Sequence, residues 1–176
     1  MTLVLWKNLR LGLAVAFVVA LLDQLSKRSI LLSFRPSGAI DTPFTASGRI
    51  DVLPILDFDL AWNRGISFSV GNNSGAYNAL LFTLLAAVIC VMLLVWMARA
   101  ADRLVLLALG LVVGGAVGNA VDRVRFGAVV DFLYVHIGKF DWWPAFNLAD
   151  SAICVGAALL VIDSLFAKRD SHKNTP

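Results

Sequence analysis

LVLLALGLVVGGAVGNAVDR, residues 104–123, decides the fold. From Leu104 to Val117 no side chain is polar, and then Asn119, Asp122 and Arg123 arrive within one more helical turn. An apolar run of about 20 residues is a membrane crossing. A carboxylate at the lip of such a run is expensive unless it serves the site or pairs internally. Gly110, Gly114 and Gly118 recur every four residues, the spacing that lets a neighbouring helix backbone come close. We read this stripe as packing, without chemistry.

Working outward, three more stretches have the same character, giving spans at about 9–33, 77–97, 104–121 and 147–167. The composition agrees: 59% hydrophobic residues, 15% charged residues and a mean hydropathy of +0.80 describe a chain whose solvent is largely lipid. With 176 residues there is room for a few helices and one modest extramembrane element, so residues 1–176 are read as a single membrane-embedded domain. The fold class is an all-α membrane protein with four transmembrane helices and a small extracytoplasmic β-element in the first loop. The first span is interrupted by Asp23-Gln24 and Ser26-Lys27-Arg28, so its polar end must meet an interface or a packed interior.

Lys7 and Arg10 before a short apolar run imitate a signal peptide. No small-residue cleavage site follows Ala20, so an uncleaved span is expected. Four spans with the N-terminus inside put both termini and the Ala98 to Arg103 turn in the cytoplasm. That side carries seven basic residues against three aspartates, and the outer side carries eight against nine. The inner basic residues are concentrated in short flanks, the pattern that orients membrane proteins.

The first loop, about 34–76, is long enough to carry function. Residues 34–49 are rich in Ser, Gly, Pro and Thr and read as irregular. In 50–68, Phe58, Leu60 and Trp62 fall on one face of a strand, with Asp57, Asp59 and Ala61 on the other. Asp57 and Asp59 are read as solvated. Trp142 and Trp143 suit an interfacial aromatic belt. Cys90 and Cys154 lie in apolar helices and read as packing residues. His136 and His172 have no second ligand at metal-binding spacing, so neither a metal nor another cofactor is expected.

All twelve acidic residues are aspartates, and Asp23, Asp122, Asp131 and Asp150 lie in or beside the apolar segments. Asn119, Asp122 and Arg123 share a helix face, as do Asn147 and Asp150. Only nineteen residues separate Asp131 from Asp150, and a chain returning to the same membrane face brings two carboxylates together. Asp23 has an internal partner in Lys27, four residues on, and Asp122 is read as pairing with a neighbouring arginine.

Five blocks complete the pattern: Asp23-Gln24-Leu25-Ser26-Lys27, Asn63-Arg64-Gly65-Ile66-Ser67-Phe68, Gly118-Asn119-Ala120-Val121-Asp122-Arg123, Val129-Val130-Asp131-Phe132 and Phe146-Asn147-Leu148-Ala149-Asp150. In these the chain resembles the lipoprotein signal peptidases, the four-helix membrane aspartyl proteases also called signal peptidase II. The resemblance implies that Asp131 and Asp150 are the catalytic pair and that Asp23, Asn63, Asn119, Arg123 and Asn147 are the polar residues around it; Lys27, Arg64, Gly65 and Asp122 are read with them as binding or supporting residues. It implies a substrate too: a bacterial prolipoprotein cut just before a diacylglyceryl cysteine. The expected partners are that substrate and membrane lipids, without nucleic acid, for a monomer in the bacterial inner membrane. Two departures bear on substrate fit: Gly65-Ile66-Ser67-Phe68, where many relatives have two small residues before the phenylalanine, and a long stretch over 38–49.

Two carboxyl groups sharing a proton suffice for peptide hydrolysis, one ionised to activate water and one neutral to donate to the carbonyl oxygen. Asp150, in the first turn of a helix after an Asn147 cap, is read as the resting carboxylate and Asp131 as the neutral acid. Arg64 and Arg123 are read either as lipid-phosphate or substrate-orienting groups, or as charge balance for the aspartates. A small transporter or proton channel would put its polar residues at midspan, whereas here they crowd one end. A rhomboid-like serine protease needs a serine and histidine on helices, and the presenilin-type Gly-x-Gly-Asp pattern is absent. A non-catalytic scaffold leaves the aspartates unexplained.

Overall fold

A computed structural model describes residues 2–34, 48–65, 76–137, 140–141 and 144–173. Its elements in chain order are α1 (Thr2–Ser33), β1 (Arg49–Leu53), β2 (Leu56–Asn63), α2 (Ala76–Arg99), α3 (Arg103–Phe126), β3 (Val129–Ile137), β4 (Phe140–Asp141) and α4 (Leu148–Lys173). All four helices contain segments long and apolar enough to span a bilayer: Leu9–Ser33, Tyr77–Arg99, Arg103–Phe126 and Leu148–Phe166. Lipid offers no partner to a bare peptide group, so these runs must close their hydrogen bonds internally as helices.

The most buried of the four spans is α3, which packs on α1, α2 and α4. The glycine stripe explains the close approach. A Cβ on Gly110 would lie 2.6 Å from the Gly12 carbonyl oxygen, and one on Gly114 would lie 2.6 Å from that of Ala16. Ala16, Met97, Val105, Leu106, Leu109 and Val113 form the core inside the bundle.

The span over 104–121 runs five residues further than the sequence reading, because α3 stays helical to Phe126. Asp102 caps its start, accepting from Leu104 N at 2.6 Å, and Gly127 ends it at φ 70°. That left-handed conformation favours glycine. It turns the chain from the end of α3 directly into β3.

The β-element is larger than expected. The sheet runs β1-β2-β3-β4, all antiparallel, and β3 and β4 come from the connection between α3 and α4 rather than from the first loop. As expected, Phe58, Leu60 and Trp62 turn to one side. They pack with Ile30 and Phe34 at the end of α1 and with Val130 and Phe132 of β3. Burial contributes roughly 1.5–3 kcal/mol for each large apolar side chain withdrawn from water, so this cluster holds the sheet onto the helix ends. The register shifts between Phe58 and Ala61. Asp57, read as solvated, is buried, set against Arg49 of β1 and His136 of β3. The expected roles of Trp142 and Trp143, of Ile66, Ser67 and Phe68, and of the irregular stretch over 35–47 lie outside the described residues.

Candidate active site

Two backbone elements meet at one end of the bundle, and each delivers an aspartate. β3 leaves α3 after Gly127 and pairs with β2, so Asp131 sits opposite Ala61 and is buried. Asp150 lies in the first turn of α4 and is half-buried.

The start of α4 is a reciprocal cap. Asn147 Oδ1 accepts from Asp150 N at 2.9 Å, while Asp150 Oδ2 accepts from Asn147 N at 3.2 Å. The expected Asn147 cap is therefore present. The Asn147 amide also reaches outward, donating through Nδ2 to Asp131 Oδ1 at 2.6 Å, Asn119 Oδ1 at 3.1 Å and the Val130 carbonyl at 3.3 Å. Asn119 Nδ2 in turn donates to Asp150 Oδ1 at 2.8 Å. One asparagine thus touches both aspartates, and a second ties it to Asp150.

Asp131 also accepts a hydrogen bond from the Asn63 side chain. Its carboxyl is pushed up to about 7: burial is the largest cause and the charge of Asp150 the next, against lowering by Asn63, Asn147 and Lys27. Asp131 therefore titrates near neutrality beside a second carboxylate.

Behind this pair lies a buried ionic cluster. Lys27 Nζ is 2.8 Å from Asp23 Oδ2, as the four-residue spacing predicts, and 2.8 Å from Asp122 Oδ2. Asp122 thus pairs with a lysine of α1, correcting the expected neighbouring arginine; Arg123 and Arg125 are aimed elsewhere. Arg123 Nη2 donates to the Gly65 carbonyl at 3.1 Å, with its guanidinium 5.4 Å from the centre of the Phe82 ring. Arg125 Nη1 donates to Gln24 Oε1 at 3.3 Å.

Gly65, itself buried, donates its N–H to Asn63 Oδ1 at 3.0 Å, forming a tight turn at the end of β2. Arg64 is exposed. The structure thus gathers Asp23, Lys27, Asn63, Gly65, Asn119, Asp122, Arg123, Asp131, Asn147 and Asp150 at one end of the bundle, with Arg64 outward beside them.

Sequence reasoning gave no individual role to Gln24, whose Nε2 donates to Asp122 Oδ1 at 2.8 Å and to the Gly118 carbonyl at 3.1 Å. Its place beside Asp23 at the polar end of an apolar helix was the available signal. Gly118 was read as packing alone, but a Cβ there would lie 2.5 Å from Asp23 Oδ2. It serves the cluster as well as the helix contact.

A separate group fastens the sheet. Asp57 forms an ion pair with Arg49 and lies 3.0 Å from His136 Nε2. Burial pushes the Asp57 carboxyl up, but hydrogen bonding and charge from Arg49, with a smaller effect of His136, leave it below its usual value. Arg49, His136 and Asp57 line a cavity of about 460 Å³ with Asp51, Val52, Leu53 and Pro54. Among the described residues no group of three or more His, Cys, Asp or Glu side chains is placed to hold a metal ion. Cys90 and Cys154 are free thiols.

Comparison with known proteins agrees over most of the chain. The family model for Signal peptidase (SPase) II matches residues 15–166. A lipoprotein signal peptidase of Rhodopseudomonas palustris is 42% identical over 159 residues, covering 89% of this chain and 92% of that protein. One of Methylobacterium sp. is 39% identical over 162 residues, covering 92% and 93%. Among solved structures, a bacterial membrane enzyme determined by the in meso method at 2.3 Å resolution superposes with a TM-score of 0.75. It is 26% identical, with 93% of this chain and 91% of that one covered.

Proposed function

The chain belongs to the signal peptidase II family, and from that premise we propose that it is an aspartic endopeptidase acting on diacylglyceryl-modified bacterial prolipoproteins. It cuts the signal peptide on the N-terminal side of the lipidated cysteine. The observation that carries this reading is the pairing of Asp131 and Asp150 through the single amide of Asn147, with Asp131 titrating near neutrality.

In the proposed mechanism Asp150 is the resting carboxylate. Its place in the first turn of α4, with donors from Asn119 and the Asn147 backbone, favours the anion. It takes a proton from a water molecule, and the oxygen attacks the scissile carbonyl. Asp131, neutral, donates its proton to the developing oxyanion. Collapse of the tetrahedral intermediate expels the amine, which takes the proton that Asp150 received, and a proton returns to Asp131.

Arg123 and the Gly65 carbonyl border the site and orient the substrate backbone, with Asn63 fixing the Asp131 carboxyl. Asp23, Lys27, Asn119, Asp122 and Asn147 support the pair, and Arg64 faces lipid phosphate. The enzyme works as a monomer in the bacterial inner membrane, both termini cytoplasmic and the site at the outer face.

Cleavage of a diacylglyceryl prolipoprotein by the purified protein tests the reading, with Asp131→Asn and Asp150→Asn alongside. Both variants are expected to lose activity. Wild-type rates in both would sink the two-aspartate mechanism, and equal cleavage of a non-lipidated substrate would sink the lipid requirement.

A further inference from the structure

A lysine sealed inside the helix bundle, at 2% exposure, needs a reason beyond stability. Desolvating an ammonium and two carboxylates costs several kcal/mol per ion, and well-packed apolar side chains usually hold a core as firmly. What apolar side chains cannot do is hold backbone N–H groups. Here both carboxylates bound by Lys27 hold one, and the positions are suggestive. Asp23 Oδ1 accepts from Ala149 N at 3.0 Å, and Ala149 immediately precedes Asp150. Asp122 Oδ2 accepts from Val130 N at 3.1 Å, and Val130 immediately precedes Asp131.

We infer that Lys27 is a positioning residue that sets the separation of the two reacting aspartates, acting as a yoke. Through Asp23 it anchors the start of α4, and through Asp122 it anchors the start of β3. This rests on the proposed reading of Asp131 and Asp150 as the reacting pair.

The third acceptor of the ammonium fits the same role. Asn119 Oδ1 lies 3.0 Å from Lys27 Nζ, and the other end of that amide donates to Asp150. Three acceptors use all three N–H bonds of the ammonium, and each leads to an aspartate of the pair or to the residue before one. The arms belong to different elements, α1 and α3, so neither helix alone fixes the spacing. Among the described residues, the charged groups at this end of the bundle include Asp23, Lys27, Asp122, Arg123, Asp131 and Asp150, from α1, α3, β3 and α4, with Arg125 of α3 bonded to Gln24 and Arg64 exposed after β2. Lys27 is the cation in direct contact with both supporting carboxylates.

The test is the pH dependence of kcat and KM on a diacylglyceryl prolipoprotein for full-length Lys27→Met. It is run beside the neutral triple variant Lys27→Met/Asp23→Asn/Asp122→Asn, and beside Asp131→Asn and Asp150→Asn. Misplacing reacting groups by about 1 Å costs on the order of 100-fold in rate, so kcat is expected to fall by about that factor in Lys27→Met with KM within about threefold. The alkaline limb of its kcat profile moves to higher pH, because the Lys27 charge opposes proton retention by Asp131.

The triple variant buries no uncompensated charge at these three positions and carries the comparison if Lys27→Met fails to fold. Its carboxamides still accept the two N–H groups but nothing draws them together, so its kcat stays low. Wild-type kcat in the triple variant overturns the yoke and leaves Lys27 a charge neutraliser. If that happens while Asp131→Asn and Asp150→Asn are inactive, the two-aspartate mechanism survives alone. Activity in those two variants removes both.

Discussion

Gly118→Ala tests the coupling between helix packing and the site. The new Cβ would lie 2.5 Å from Asp23 Oδ2 and 3.1 Å from its Cγ. Reaching ordinary van der Waals contact requires the two to separate by about 0.9 Å. Asp23 has little freedom to yield, since Oδ2 is 2.8 Å from Lys27 Nζ and Oδ1 accepts from Ala149 N at 3.0 Å. The strain therefore passes along Ala149 to Asp150.

Overpacking costs about 1–3 kcal/mol, and alanine returns about 1 kcal/mol over glycine in a helix. The net loss of stability is therefore modest, at most about 2 kcal/mol. Catalysis is more sensitive, because a displacement near 1 Å is worth about 100-fold. The control is Gly110→Ala, whose Cβ would sit 2.6 Å from the Gly12 carbonyl oxygen, a similar overlap. It lies about 12 Å away along the helix axis.

Thermal unfolding and kcat are measured for both variants on the same lipidated substrate. The expected result is comparable destabilisation, with kcat lost only in Gly118→Ala. Equal kcat in the two variants refutes the transmission from Asp23 to Asp150.

Carboxyl infrared bands locate the shared proton: the protonated-carboxyl band disappears in Asp131→Asn and persists in Asp150→Asn, and the opposite pattern reverses the assignment. Because Asp131 is raised from 3.8 to about 7, its contribution to stability is fully present below pH 3.8 and is lost as pH rises through about 7. A pH series of unfolding midpoints should show that decline in the wild type and not in Asp131→Asn. The same titration predicts that kcat falls above about pH 7 as Asp131 loses its proton; a rate still rising well above that pH argues against Asp131 as the acid. Asp57 has the opposite sign: its lowered carboxyl stabilises above pH 3.8 and loses that effect as pH falls through its lower folded value. Amide protection factors in β1 and β2, corrected for the intrinsic exchange rate at each pH, should therefore fall in acid, and Asp57→Asn should remove that dependence.

The four helices were legible because lipid forces a simple pattern, long apolar runs, on any chain that crosses it. The aspartate pair was legible because carboxylates stand out against that background. β3 was missed as a strand although Val129, Val130, Phe132, Tyr134, Val135 and Ile137 are β-branched or aromatic. Asp57 was misplaced because its partners lie on neighbouring strands, Arg49 across a hairpin and His136 on β3, a relation that alternation within β2 does not encode. The pairing of Asp122 with Lys27 joins positions 95 residues apart in sequence, a relation that no local spacing encodes.

The contact between Asp23 and Lys27 has a consequence for biosynthesis. When α1 enters the bilayer, α3 and α4 have yet to be made, so every other partner of this cluster is missing. An aspartate alone at that depth would oppose insertion, but the lysine one turn later supplies its counter-ion within the same helix. The first helix thus carries a neutral pair into the membrane. Asp122 and the N–H of Ala149 are recruited as the later helices arrive, and the proposed hydrolytic site is completed only with the last of them.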